Sequence, residues 1–82
     1  MRERKAALGD KNSIGTIVTR LRKERHMTQK ELMAMMQTKG VDISYSGLSK
    51  LEGQTRSATD KEILAIAKCF DISVSTLFPK EK

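Results

Sequence analysis

Only one cysteine, Cys69, occurs in the 82 residues. No internal disulfide framework can therefore staple the fold, and with nothing pointing to export the compartment expected is the cytoplasm. No apolar run approaches the roughly 18 residues of a membrane span, so no membrane partner is expected. Met1 to Asp10 is charged and lacks the apolar stretch of a secretory signal. CxxC and HxxxH spacings are missing, and His26 and Cys69 stand alone, so neither a metal nor another cofactor is expected. No nucleophile with a base and an orienting group is recognisable, and no phosphate loop, so the chain reads as a non-enzyme. Strand-like alternation, internal repeats and low-complexity tracts are lacking too.

What is present fits one small domain. A chain this short hides only about 60% of its surface on folding, which leaves little room for a walled pocket. The net charge is +6, and it sits at one end. Residues 1–30 hold nine basic and three acidic groups, while the remainder is balanced. Such an excess suits a polyanionic partner, although a solvated basic tail would look the same.

Helical spacing then runs along the chain. Met1 to Asn12 is polar and aperiodic, as in a loose arm. Ser13 is placed to cap a first helix to about Arg25, with Ile14, Ile17, Val18 and Leu21 on one face. His26 follows at a site that often needs a left-handed backbone. Thr28 and Glu31 form a capping box for a second helix, with Leu32, Met35 and Met36 inward and Gly40 at its end. Ser44 caps a third helix, Tyr45 to about Glu52, with Leu48 and Leu51 inward. Thr59 and Glu62 form a second capping box, ahead of Ile63, Ile66, Ala67 and Phe70. Cys69 falls off that stripe and reads as a partly exposed, passive thiol. Ser73 caps a short fifth helix with Leu77 and Phe78, and Pro79 discourages its continuation. Five helices without strands pack as an all-α domain.

The third helix carries the functional signal. At about 100° per residue, Ser46, Ser49, Lys50 and Gly53 lie opposite Leu48 and Leu51. This small polar face with one cation can enter a major groove, with Tyr45 at its start. Glu52 points toward the interior instead. A half-buried carboxylate needs a partner, and Arg22 can supply a bidentate one.

These segments together resemble a known family. Ile14-Gly15, Leu21 to Arg25, Met27 to Leu32, Ser44 to Glu52, Ile63 to Lys68, Ile72-Ser73 and Leu77-Phe78 are similar to the phage repressor and Cro (XRE-type) helix-turn-helix domain. The resemblance spans residues 14 to 78. It implies a five-helix, lambda-repressor-like fold over 13–79, a flexible basic arm over 1–12 and a tail over 80–82. The chain departs from the pattern in three places. The passage from Met36 to Ser44 is about five residues longer, as for a lengthened first motif helix or turn. Met33 stands where the family has a small residue, and the loop glycine, Gly53, comes one place early.

The resemblance also implies the site. Gln29 and Lys30, at the start of the first motif helix, and Ser44, Tyr45, Ser46, Ser49 and Lys50, on the recognition helix, would meet double-stranded DNA. Gln54, Thr55 and Arg56 would touch the second phosphate strand, and Arg22 with Glu52 would be the buried structural ion pair. The function implied is a sequence-specific transcriptional regulator, in particular a repressor. It would bind an inverted repeat as a homodimer, through the last helix and its apolar Leu77 and Phe78. Antitoxins with a protein partner and restriction-modification controllers are the family's other stand-alone roles.

Overall fold

The computed structural model describes residues 9–79, so most of the arm and the tail 80–82 lie outside the described residues. Four α-helices follow in order: α1 (Gly15–Glu24), α2 (Gln29–Thr38), α3 (Tyr45–Glu52) and α4 (Asp60–Phe70). No strand occurs among the described residues. The expected fifth helix is one turn of 3-10 helix, Val74–Leu77. Ser73 provides no side-chain cap there; its hydroxyl meets those of Ser75 and Thr76.

The helix starts follow local chemistry. Thr28 and Thr59 each accept from the amide three residues on, and Glu31 and Glu62 each reach back to the capping residue's amide. Ser44 accepts from the Gly47 amide. The cap of α1 differs from expectation. Ser13 makes no cap bond; Asn12 Oδ1 accepts from the Ile14 and Gly15 amides instead. An amide oxygen two residues before the amide it caps reaches it without strain.

All four helices end in the same way, with paired bonds that fold the chain back over the last carbonyls. The amides of His26 and Met27 bond to Lys23 and Arg22, and those of Gly40 and Val41 to Gln37 and Met36. Gln54 and Thr55 bond to Leu51 and Lys50, and Asp71 and Ile72 to Lys68 and Ala67. The residue that turns left-handed is therefore His26, Gly40, Gln54 or Asp71. Only one of the four is glycine. Gly53 keeps a right-handed backbone, so the left-handed position of that loop belongs to Gln54. His26, at φ 52°, carries the steric cost of a β-carbon in this region. His26→Gly is expected to stabilise the fold by about 0.5–1 kcal/mol, read as a higher urea midpoint. An unchanged midpoint would mean the turn is not strained.

Val18, Leu32, Met36, Leu48, Leu51, Ile66 and Leu77 are almost wholly buried at the centre. α3 packs against α1 and α2, and α4 against α2 and the 3-10 turn. Where α1 crosses α3, a β-carbon on Gly15 would collide with the Leu51 carbonyl oxygen, so only glycine allows this approach. Met33 and Met35 pack half-buried against the core, as does Met27. α2 ends at Thr38, and the longer passage to α3 is irregular chain that buries Ile43.

Two side chains differ from their expected exposure. Cys69 is buried, because α4 is covered on two sides rather than one. That burial pushes its thiol pKa up, and the Lys39 cation only partly opposes the shift. Leu77 is fully buried, which leaves Phe78 as the exposed apolar residue of the pair.

Candidate nucleic-acid interface

α3 presents its outer side to solvent. Tyr45 is 52% exposed, and Ser46, Ser49 and Lys50 are exposed beside it. Leu48 and Leu51 anchor the opposite side in the core. With Ser46 and Ser49 between Tyr45 and Lys50, the outer side of this eight-residue helix can approach a groove floor closely.

The support behind α3 is polar. Arg22 Nε donates to Glu52 Oε2 at 2.8 Å and Arg22 Nη2 to Oε1 at 2.9 Å. Arg22 Nη1 donates to the Met27 carbonyl at 2.8 Å. Glu52 Oε1 also accepts from Thr19 Oγ1 at 3.1 Å and Gln29 Nε2 at 2.9 Å. One buried carboxylate at the end of α3 thus joins α1 and α2, and its partner Arg22 adds the α1–α2 turn. Thr19 was not singled out from the sequence, though it lies three residues before Arg22 and so shares its face.

The starts of α2 and α3 open side by side. Arg22, Thr28, Gln29, Lys30 and Tyr45 line one surface notch between them. The first-turn amides of Gln29 and Lys30 have no acceptor within the helix and carry the positive end of its dipole. Lys30 is exposed at the rim. An anion fits such a place.

The loop residues have other duties. Gln54 Nε2 donates to the Asn12 carbonyl at 2.7 Å. Thr55 is exposed, and its hydroxyl donates to the Lys50 carbonyl at 3.2 Å. Arg56 Nε donates to the Gly47 carbonyl, and its Nη1 and Nη2 form a bidentate pair with Glu62 at 3.0 and 2.9 Å. Nη1 also reaches the Ser57 carbonyl. Arg56 therefore ties α3 to the start of α4. The Ser44 hydroxyl is occupied as the cap of α3.

The Arg56 pair makes stability depend on pH. Burial alone would raise the Glu62 pKa, but hydrogen bonds from Arg56 and the Thr59 amide, with the Arg56 charge, hold it below its ordinary 4.5. A lowered folded-state pKa stabilises the fold above the unfolded value and loses that contribution as pH falls through the folded one. Glu62→Gln preserves the cap geometry and removes the charge. Its urea midpoint is expected to fall less than the native one on acidification through this range; equal slopes would exclude Glu62 as the titrating group.

Among the described residues no helix is long and apolar enough to cross a membrane, and no group of three or more His, Cys, Asp or Glu is placed to hold a metal. No curated protein and no solved structure matches the chain. A helix-turn-helix family model matches residues 18–77, from within α1 to the end of the 3-10 turn. That match covers most of the chain and includes both helices of the motif, α2 and α3. The chain belongs to the Cro/C1-type (XRE) helix-turn-helix family of DNA-binding transcriptional regulators.

Proposed function

We propose that the protein is a repressor that binds an inverted repeat in double-stranded DNA as a homodimer, with α3 in the major groove. The observation that carries this reading is the pairing of an exposed polar outer face on α3 with a buried carboxylate network behind it. Rigid presentation lowers the ordering cost of binding. In this reading Tyr45, Ser46, Ser49 and Lys50 meet base edges or phosphates. Gln29 and Lys30, with the first-turn amides of α2, hold one phosphate. Ser44, Gln54 and Arg56 shape the interface from behind, and Thr55 faces the backbone. The setting is the cytoplasm, and the chemistry is binding rather than catalysis.

A single module of this size buries only about 600–1,000 Å² of its own surface on DNA, which supports the dimer. Half-sites would lie about 34–36 Å apart, or a multiple of that. Phe78, 40% exposed, borders a groove with Ile17, Arg20, Ser75, Thr76 and Pro79, which suits a second copy.

Selection of bound fragments from random duplex DNA tests the reading. A two-fold symmetric consensus is expected, with log affinity falling linearly against log salt. Retention of no duplex, or a response indifferent to salt, would overturn it in favour of a protein partner.

A further inference from the structure

Residues Gly9 to Asn12 lie along the loop that follows α3. The Gly9 amide donates to the Gly53 carbonyl and the Lys11 amide to the Gln54 carbonyl, both at 2.9 Å. Gln54 returns a bond from its side chain to the Asn12 carbonyl. The Asn12 side-chain amide donates to the Leu51 carbonyl at 3.0 Å and the Arg56 carbonyl at 2.8 Å. Its oxygen accepts from the Ile14 and Gly15 amides. One side chain thus joins the start of α1, the last turn of α3 and the loop beyond it. The approach is close: a β-carbon on Gly9 would collide with the Gln54 carbonyl oxygen.

The loop has a shortage that this strap remedies. Arg56 is the sole cation between Gly53 and Thr59, and it is paired with Glu62. The charge that a phosphate on this side needs must come from elsewhere. Lys11 is exposed on the strap, its backbone bonded to the loop itself. A cation held at its root loses less freedom on meeting a phosphate than one on a loose arm.

We infer that Lys11 is a phosphate-contacting residue of the DNA-binding face, and that Asn12 is the residue that positions it. The inference rests on the DNA-binding reading above. Asn12→Asp separates two duties of the side chain. A carboxylate still caps α1, but it has no proton for the carbonyls of Leu51 and Arg56, and it repels them.

The test uses the full chain and a duplex selected by the native protein, with affinity measured across a salt series. Lys11→Ala is expected to make the log–log salt slope shallower by about 0.9, with melting temperature and base preference unchanged. Lys11→Arg should restore the slope. Asn12→Asp should give the same loss of slope and faster exchange of the Lys11 amide hydrogen, and Lys11→Ala should then add nothing further. A native slope for Lys11→Ala, or equal added losses in both backgrounds, would overturn the inference. If Asn12→Asp fails to fold, Lys11→Ala with its Arg control still decides the phosphate contact. A native chain that holds no duplex removes the DNA reading and this inference together; native binding indifferent to Lys11→Ala removes the inference alone.

Discussion

Glu52→Ala is expected to destabilise the fold by about 3–5 kcal/mol, seen as a large fall in the urea midpoint. The magnitude follows from what is left behind. Glu52 is 6% exposed and accepts from Arg22, Thr19 and Gln29. Without it, Arg22, 9% exposed, retains only the Met27 carbonyl as a partner for a buried guanidinium. A small domain has about 5–15 kcal/mol in all, so much of the folded population is at stake. Removing both charges together is different. Arg22→Met with Glu52→Leu is expected to be neutral or stabilising, because neither charge then has to be desolvated. That outcome would assign the pair's value to orientation, holding α3 at one angle, rather than to net stability. If Glu52→Ala unfolds at the native midpoint, the network contributes nothing to stability.

Lys50→Ala carries the largest expected effect on DNA binding. Its side chain is exposed, and the bonds made at this residue by Thr55 go to the backbone carbonyl, which the substitution spares. Melting should therefore be unchanged. Specific affinity should fall by about 1–3 kcal/mol, roughly 5- to 150-fold. The pattern of loss separates two contacts. A base contact relaxes preference at one position of the consensus, whereas a phosphate contact weakens all sequences alike and lowers the salt slope by about one. Native affinity and preference would exclude Lys50 from the interface.

The same residues show how far the chain could be read in advance. Thr28 with Glu31, and Thr59 with Glu62, were legible because a capping box closes within one helical turn. Glu52 was legible as inward-facing because helical period alone sets its side. Its engagement by Thr19 and Gln29 was not, since those lie on two other helices. Asn12 was assigned to the arm and Ser13 to the cap; their places were decided by Leu51 and Arg56, 39 and 44 residues away. The resemblance places Arg56 on the second phosphate strand, and only the turn from α3 into α4 brings it onto Glu62. Cys69 is buried where periodicity expects partial exposure, because α4 packs against both α2 and the 3-10 turn, and Leu77 is buried because that turn lies on α4.

The amino-acid order by itself determined the four α-helices, the starts of α2, α3 and α4, the left-handed turn at His26 and the polar side of α3. Each depends on atoms within about a turn of one another, where the chain's own geometry leaves little choice. The tertiary structure decided which polar side chains remain available for DNA and which are consumed in holding α3 and its loop in place. Those partners come from distant segments, and their meeting depends on how whole helices cross and what each crossing excludes from water.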